Sequence, residues 1–298
     1  MKVFLESTEI TALVTSLTLD RSLSMAGAEL RLEAACAPAD RFVPKLNPVW
    51  GEPVTVAADG TVIFAGQIER ADFSAAGLRL TLLCLERTAL LARCEYGGAL
   101  TGTPAQAARA VIAAAGLRPG VLWEREGRVA LPVACGRSAL AAVRACYGGD
   151  CFPEERGGAV DLLRPGARAY TLGTADLLSL SAANTLEPLV TGAEVRSGTG
   201  RVLAQCADPV WERDFGQRRA VLALDGPQSG AADQARAALR CARRQAQAVL
   251  RGDLSARCGA RVALDHGAFG AAGAYLVTRV LHTLRDGVLL TTLGLESI

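Results

Sequence analysis

The fold is decided by residues 50–86, WGEPVTVAADGTVIFAGQIERADFSAAGLRLTLLCLE, because their pattern returns at residues 258–296, CGARVALDHGAFGAAGAYLVTRVLHTLRDGVLLTTLGLE. Both copies open with Gly-x-x-Val-x-(Val/Leu), at Gly51 and at Gly259, and both end on the pair Leu-Glu. A fixed order of short motifs at near-equal spacing indicates a repeated structural unit. We therefore predict that the chain contains two copies of one unit.

Each copy has the pattern of antiparallel β-strands. Val54 and Val56 alternate with Thr55, as side chains do when one face of a strand is buried. Asp59-Gly60 lies between two apolar runs and predicts a tight hairpin turn. Residues 78–85 place leucines on both faces of the last strand. Because such a strand is covered on both sides, we expect each copy to be half of a β-barrel or sandwich with a covered outer face.

The composition excludes several classes of partner. The net charge is +2 and aromatic residues make up 5% of the 298 residues, so the chain lacks the basic, base-stacking surface of a nucleic-acid-binding protein. No stretch approaches the roughly 20 apolar residues that cross a bilayer, and we expect no membrane insertion. Nine irregularly spaced cysteines without a secretion signal favour reduced, mostly buried thiols.

The character of the sequence changes between the two copies and predicts three domains. Thr103-Pro104 begins a helix that Gly116 ends, and a second helix is expected over 138–147. Strand-like sequence returns from Leu178. We predict a mainly β fold with an α+β insertion. Its domains are a first β-barrel domain over 1–96, a small α/β domain over 97–175 and a second β-barrel domain over 176–298, with a helix near 231–250.

Two further features belong to the second half. Residues 190–206 resemble residues 14–36, which precede the first copy, and this extends the predicted duplication upstream. The helix near 231–250 carries Ala235, Leu239 and Val249 at helical spacing. We interpret it as an amphipathic helix docked on its own barrel, with binding to a partner protein as the alternative.

The chain offers few groups for catalysis. His266 and His282 are its two histidines, and both lie in the second copy. We predict a turn histidine and a half-exposed strand histidine. The alternative is a hydrolase in which one of them is the general base for Cys258 or a nearby serine.

Metal and carboxylate sites are also not predicted. Cys135, Cys146 and Cys151 cluster in sequence but lack the paired spacing of a zinc site. Glu154-Glu155 falls at the tip of a predicted hairpin, where we expect exposure to solvent. We therefore predict no catalytic residue, no metal site and no cofactor.

The order of these parts resembles the baseplate hub proteins of contractile phage tails and phage-tail-like bacteriocins, of the late-control protein D type. The resemblance covers essentially the whole chain and consists of strand and turn patterns in a fixed order. The segments that carry it are Gly51–Val56 with Phe64–Ile68, the helix after Thr103-Pro104, Ser138–Tyr147 with its hairpin, and Gly259–Val262 with Gly273–Val277.

The resemblance implies a non-enzymatic adaptor. Its two β-barrels would be similar to the tail-tube subunit, and three chains would form a pseudo-sixfold ring joining the sixfold tail tube to the threefold central spike. The implied partners are two further copies of the chain, the tail tube protein, the central spike protein and LysM-type or other baseplate proteins. The protein would be assembled in the bacterial cytoplasm and become part of a phage virion or tail-like particle.

The ring would need apolar contacts, and the repeated strands supply candidates. The predicted subunit-interface residues are Val54, Val56, Leu83, Leu85, Val262, Leu264, Leu290 and Leu293. Two other functions stay open at this point: a hub component of a secretion-system spike, and the Cys/His hydrolase.

Overall fold

Strands dominate the regular structure of this chain, and helices are few. The computed structural model describes residues 1–37, 40–42, 45–132, 136–172, 177–224, 230–239, 243–264 and 272–298. The predominance of strands confirms the predicted class, mainly β with an α+β insertion.

In chain order, the strands are β1 (Lys2–Leu5), β2 (Thr8–Glu9), β3 (Val14–Ser22), β4 (Glu29–Ala35), β5 (Pro53–Ala58), β6 (Thr61–Ser74), β7 (Arg79–Glu86), β8 (Ala99–Gly102), β9 (Pro119–Leu122), β10 (Val129–Pro132), β11 (Phe152–Arg156), β12 (Ala159–Leu163), β13 (Arg168–Tyr170), β14 (Leu177–Thr185), β15 (Gly192–Arg196), β16 (Val202–Ala207), β17 (Arg219–Ala223), β18 (Arg243–Arg251), β19 (Ala260–Leu264), β20 (Gly273–Arg285) and β21 (Val288–Ser297). The helices are α1 (Leu90–Arg93), α2 (Pro104–Ala114), α3 (Ala139–Cys146), α4 (Pro209–Phe215) and α5 (Ala231–Ala238).

One large curled sheet contains both copies of the repeat. Among the described residues it has 13 strands, in the order β14-β18-β21-β20-β3-β4-β7-β6-β5-β1-β2, with β19 and β13 branching from β20. The run β3-β4-β7-β6-β5 therefore matches the run β14-β18-β21-β20-β19 strand for strand. We call these the first run and the second run. The duplication predicted from the sequence is thus a duplication of sheet topology.

The two runs also match in backbone detail where each copy begins. Gly51 N–H donates to the carbonyl of Ile68 at 2.9 Å, and Gly259 N–H donates to the carbonyl of Val277 at 2.8 Å. Both glycines have a positive φ, +81° and +76°, a conformation that side chains with a Cβ disfavour. The same turn therefore opens β5 and β19, and glycine at its start follows from the backbone geometry.

The Asp59-Gly60 turn is confirmed. Both residues have positive φ, 49° and 77°, as a two-residue hairpin turn with the twist of the flanking strands requires. Ala58 pairs with Thr61 across this turn, and Val56 pairs with Phe64 further along.

The upstream part of the predicted duplication is wrong in its location. Residues 192–196 and 202–207 form β15 and β16, which belong to a separate sheet in the order β16-β15-β17. The counterparts of β3 and β4 in the second run are instead β14 and β18. The similarity of the strand sequences did not reveal the position of each strand in the sheet, because the order of strands depends on pairing with residues distant in the chain.

The helix predicted near 231–250 is wrong over its second half. Helix α5 ends at Ala238, and residues 243–251 form strand β18. In β18 the buried residues Ala246, Ala248 and Leu250 alternate with more exposed ones, which is the period of a strand. Pairing within the sheet therefore overrides the helical propensity of this alanine- and arginine-rich segment.

The insertion between the two runs is built on two capped helices, as predicted. Thr103 Oγ1 accepts from Gln106 N–H at 3.2 Å, and the Gln106 side chain accepts from Thr103 N–H at 3.0 Å, a capping box at the start of α2. Ser138 Oγ caps α3 by accepting from Ala141 N–H at 3.2 Å. Both helices bury apolar side chains in one cluster, with Val111, Ile112, Leu140, Val143, Tyr147 and Leu162 among its members.

The chain forms two compact units, each with a core of its own. The first comprises Met1–Ser181, Gln247–Glu296 and Ile298, and the second comprises Ala182–Ala246 with Ser297. The second unit packs Ala231 and Ala235 of α5 against Val195 of β15. The predicted three-domain division at residues 96 and 175 stays a prediction.

Candidate assembly site: the junction between the two runs

Strand β20 divides one of its edges between two partners. Residues 273–276 pair antiparallel with residues 261–264 of β19, which belongs to the same run. Residues 279–285 pair antiparallel with residues 16–22 of β3, which belongs to the first run. One continuous strand therefore completes the second run and joins it to the first. We call the pairing of β20 with β3 the internal junction.

An ion pair fixes the exposed face of the internal junction. Arg279 Nε donates to Asp20 Oδ1 at 2.9 Å, and Arg279 Nη2 donates to Asp20 Oδ2 at 2.5 Å. This two-point contact between a planar guanidinium and a carboxylate is directional, so it favours one register of the two strands.

The other face of the internal junction is buried and contains His282. The ring lies opposite Leu19, and its Nδ1 is 2.9 Å from Thr291 Oγ1, which donates to the carbonyl of Asp253 at 3.0 Å. Because the hydroxyl proton of Thr291 is used in that bond, Nδ1 carries the hydrogen. Burial, and next Arg257 and Arg21, lower the pKa of His282 to about 4, so the ring is neutral at neutral pH. The predicted half-exposed strand histidine is therefore a buried one.

A cluster of charged side chains lies beside the internal junction. Arg21 of β3 pairs with Glu86 of β7 and lies 3.5 Å from Glu154 of β11. Arg168 of β13 donates to the second oxygen of Glu154 at 2.8 Å. Glu86 also accepts from the backbone N–H of Ala28 at 2.8 Å. The cluster thus links three parts of the chain to one another: the first run, the hairpin of the insertion, and β13, which pairs with β19.

The position of Glu154 corrects the expectation of a solvent-exposed hairpin tip. Glu154 and Glu155 lie within strand β11, and the tip itself is Gly157-Gly158. Glu154 is buried, and Glu155 accepts from the backbone N–H of Arg87 at 2.9 Å. Burial first, and then the negative charge of Glu86, raise the pKa of Glu155.

A cleft of about 430 Å³ opens beside this cluster. Its polar walls mix both signs of charge, and Arg257 on one wall donates to the backbone carbonyls of Leu254 at 2.6 Å and Ala256 at 3.0 Å. Guanidinium groups that are already bound to carboxylates or carbonyls hold strands together. The residues lining the cleft include Arg21, Phe64, Glu86, Glu154, Arg168 and Arg257.

The geometry does not support a Cys258–His282 hydrolase pair. Cys258 is buried, and its thiol donates to the carbonyl of Thr278 at 3.2 Å. Burial is the main cause that raises the pKa of Cys258 to about 12, so the thiolate that a nucleophile requires does not form near neutral pH. In a thiolate–imidazolium pair the histidine is protonated, whereas the lowered pKa of His282 keeps its ring neutral. The other candidate base, His266, lies outside the described residues.

The remaining cysteines of the insertion are buried thiols where the structure describes them. Burial raises the pKa of Cys146 to about 11 and that of Cys151 to about 12. Cys135 lies outside the described residues. Within the part of the chain that is described, no group of three or more His, Cys, Asp and Glu side chains is placed to hold a metal ion. Over the same residues, no helix has the length and apolar character of a membrane span.

The predicted interface residues fall into two groups. Five are buried in the protein's own core and have almost no surface to offer another subunit: Val54, Val56, Val262, Leu264 and Leu293. The other three are partly exposed: Leu83, Leu85 and Leu290. For the five residues of the first group, the alternation of apolar and polar positions reflects burial in the protein's own core. Their assignment to the subunit surface is corrected accordingly. For the second group, a subunit contact stays a prediction.

Two strand edges missed by the sequence analysis are open instead. Among the described residues, strand β14 is the last strand at one end of the sheet, and each of its residues is partly or fully exposed. In β6, residues 70–74 pair with β7 on one side and have no partner strand among the described residues on the other. The exposed Phe73 of β6 and Leu178 of β14 are a sequence-level signal, since each is a large apolar residue within a strand.

Comparisons with known proteins identify the fold. A tail protein of prophage MuSo2 from Shewanella oneidensis matches with a TM-score of 0.73 and 14% identity over 99% of this chain and 98% of that one. The tail protein from Neisseria meningitidis MC58 matches with a TM-score of 0.73 and 14% identity over 99% of this chain and 95% of that one. This chain has the fold of the prophage tail proteins.

A third match connects the tail fold with a secretion system. The Escherichia coli c3393 protein is described as a component of the type VI secretion system with structural similarity to the T4 tail proteins gp27 and gp5. It matches with a TM-score of 0.60 and 11% identity over 99% of this chain and 76% of that one. No protein-family model matches the sequence. No curated protein matches it either. The resemblance stated from the sequence is thus confirmed at the level of fold.

Proposed function

We propose that the protein is a structural baseplate hub of a contractile injection particle, in which three chains form a ring of six tube-like units. The observation that carries this proposal is the strand-for-strand match between the first and second runs within one curled sheet. A chain with one such run would contribute one unit to a ring, whereas this chain contributes two.

Symmetry explains what such a chain is for. A sixfold tail tube and a threefold central spike cannot be joined by identical contacts of a single-unit protein, because closed rings need matching interfaces. Three chains with two similar runs each present six similar units to the tube and three identical faces to the spike. The proposed partners are therefore two further copies of the chain, the tail tube protein and the central spike protein, with LysM-type or other baseplate proteins at the rim.

The site chemistry fits an assembly role. Arg21, Glu86 and Glu154 are used in mutual ion pairs, and Cys258 and His282 have pKa values shifted away from catalysis. We propose that the protein is not an enzyme and needs no cofactor. Its place would be the baseplate of a phage virion or of a tail-like bacteriocin particle, after assembly in the bacterial cytoplasm.

A hub component of a secretion-system spike is the second candidate. The similarity to the Escherichia coli type VI component favours it, since this chain aligns over 99% of its length with 76% of that protein. The two candidates share the ring and differ in the machine that contains it. Neighbouring genes for tube, sheath and spike proteins of a tail would favour the baseplate hub, and genes of a secretion apparatus would favour the second candidate.

The ring itself is tested by mass and by imaging. We expect the purified protein, alone or with its spike partner, to sediment as a trimer and to give ring-shaped particles with six lobes by negative-stain electron microscopy. A protein that stays monomeric at micromolar concentration in the presence of its spike partner would overturn the proposal. Replacing His282 with Asn is a useful control, because assembly that is unchanged without the imidazole shows that the ring does not depend on this side chain.

A further inference from the structure

We infer that neighbouring chains of the proposed trimer join by antiparallel pairing of the free edge of β6 with the free edge of β14. This seam between chains would repeat the internal junction of β20 with β3, since β6 is the counterpart of β20 and β14 is the counterpart of β3. The inference rests on the proposed trimer and specifies its interface.

The match between β6 and β20 continues through the free edge. Ile68 and Val277 correspond, because each accepts the hydrogen bond of the glycine that opens its copy. Both strands have an irregularity just after these residues. In β6 the register shifts between Ile68 and Arg70, and in β20 the next buried residue after Val277 is Val280, three positions later instead of two. With this alignment, Phe73 is the counterpart of His282.

The match between β14 and β3 gives the other half of the seam. Both strands have nine residues, so Leu180 and Ala182 correspond to Leu17 and Leu19 when the strand ends are aligned. His282 lies opposite Leu19 in the internal junction. The seam therefore places Phe73 opposite Ala182, with Leu180 on the same face of the sheet, because residues two apart in a strand share a face.

The exposure of these strands agrees with a missing partner. Leu17 and Leu19 are buried at the internal junction, whereas Leu180 and Ala182 of β14 are partly or fully exposed. Phe73 pairs across β6–β7 with the buried Leu80 but is itself 51% exposed. Leu178 of β14 is also 51% exposed. An open strand edge with apolar side chains favours pairing with another strand. Neither edge carries a proline, and the charged Arg70 and Asp72 of β6 lie on the face opposite Phe73, because neighbouring residues of a strand point to opposite faces.

A second copy of the chain is the occupant that these edges fit. Each chain presents one edge of each kind, and the two kinds are complementary in the way that β20 and β3 are. Such a head-to-tail contact either closes into a ring or continues as a filament. Our inference is that each seam repeats the pairing of the internal junction, so that all six runs are related by similar steps, and closure after three chains is what the proposed trimer requires.

Cross-linking of paired cysteines tests the seam. The aligned register places Ser74 opposite Ser181, as Thr283 lies opposite Thr18 in the internal junction. The full-length variant Ser74→Cys/Ser181→Cys is treated with a short bis-maleimide and analysed on a denaturing gel. The matched control is Ser74→Cys/Thr18→Cys, because Thr18 is the counterpart of Ser181 on an edge that β20 already occupies. Single-cysteine variants correct for the native thiols.

We expect about tenfold more cross-linked dimer and trimer from the seam pair than from the control pair, since facing Cβ atoms in paired strands are only ~5 Å apart. Absence of this difference in a protein that sediments as a trimer would overturn the seam and leave the proposed function intact. A protein that is monomeric with its spike partner would overturn both. Cross-linked species that grow beyond the trimer would overturn the closed ring.

A charge at the seam supplies an independent test. Phe73→Lys would place an ammonium group on the face that the seam buries, so we expect the dissociation constant of the trimer to rise at least tenfold. The control Val121→Lys introduces the same charge at another exposed apolar strand residue, 70% exposed on β9, and we expect no change. Equal behaviour of the two variants in sedimentation would contradict the seam, and unaltered circular dichroism would exclude unfolding as the cause.

Discussion

Glu154 illustrates how one residue can connect distant parts of a chain. It lies in the hairpin of the insertion, and its two carboxylate oxygens face Arg21 of the first run and Arg168 of β13. A buried carboxylate is stable only when it is paired and hydrogen-bonded. The two arginines depend on it in turn, so this residue couples the insertion to the first run and to β13, the strand that pairs with β19.

Loss of this carboxylate should destabilise the protein. We expect Glu154→Ala to lower the free energy of unfolding by about 2 kcal/mol, because it leaves Arg168 without its carboxylate and Arg21 with Glu86 alone. Urea denaturation followed by circular dichroism measures this change. The control is Glu9→Gln, which removes an exposed ion pair with Lys2, and it should leave the midpoint unchanged. Equal midpoints for the two variants would contradict the role of the buried cluster.

The buried His282 makes a prediction about pH. The unfolded chain binds the imidazole proton near pH 6.5, whereas the folded protein does so only near pH 4. Stability is therefore complete above pH 6.5 and decreases as the pH falls from 6.5 towards 4, by up to about 3 kcal/mol. Since other groups titrate in acid, the measurement is the difference between the wild type and His282→Asn, which keeps a donor towards Thr291 but cannot be protonated. Parallel pH profiles of the two proteins would show that His282 is not the group responsible.

At the level of elements, the two opening glycines offer a matched pair. Gly51 and Gly259 have the same left-handed backbone conformation, but a Cβ on Gly51 would meet nothing within 4 Å, whereas a Cβ on Gly259 would lie 2.4 Å from the ring of Phe152. We expect Gly51→Ala to cost about 1 kcal/mol from backbone strain alone. Gly259→Ala should cost at least twice as much, because strand β19 or the aromatic ring must also move. Thermal unfolding of both variants measures the difference, and equal losses would contradict the contact with Phe152.

Local signals predicted the elements well, and non-local pairing explains the errors. The Asp59-Gly60 turn and the Thr103 capping box depend on neighbouring residues, so the sequence was sufficient to predict them. The alanine- and arginine-rich segment that includes β18 has helical periodicity, and only its place in the sheet makes its second half a strand. No local pattern could show that Glu154 is buried, since its partner Arg21 is 133 positions earlier in the chain.

The candidate site was predictable only in part for the same reason. The alternation of Val54 and Val56 correctly identified a buried face, but burial in the chain's own core and burial between subunits give the same pattern. The free edges of β6 and β14 are defined by what does not pair with them. Such edges become recognisable only when the complete order of strands is known.

At the level of the whole molecule, the second run contains a segment that the first run lacks. Strands β3 and β4 are connected by residues 23–28, whereas their counterparts β14 and β18 are separated by residues 186–242. The sheet order is the same in both runs despite this difference. The long segment is therefore not needed to define the topology of the second run.

Removal of this segment tests the equivalence of the two runs. We expect a variant in which residues 186–242 are replaced by LSMAGA, the connection between β3 and β4, to retain the β-sheet and to sediment as the intact protein does. Circular dichroism and sedimentation velocity are the measurements. A control with a glycine–serine linker of equal length separates the effect of the loop sequence from that of the deletion. An unfolded product in both variants would show that β14 and β18 depend on the segment between them.

The divided edge of β20 has a consequence for dimensions. Because the two runs are joined by backbone hydrogen bonds, the angle between them is set by strand twist and by an integral number of residue pairs. A slip by one residue would turn His282 and Leu19 away from the interior, so the register of the two strands changes only in whole steps. In the proposed ring, substitutions on the wall that leave this buried face intact would therefore not alter how the strands are paired around the bore.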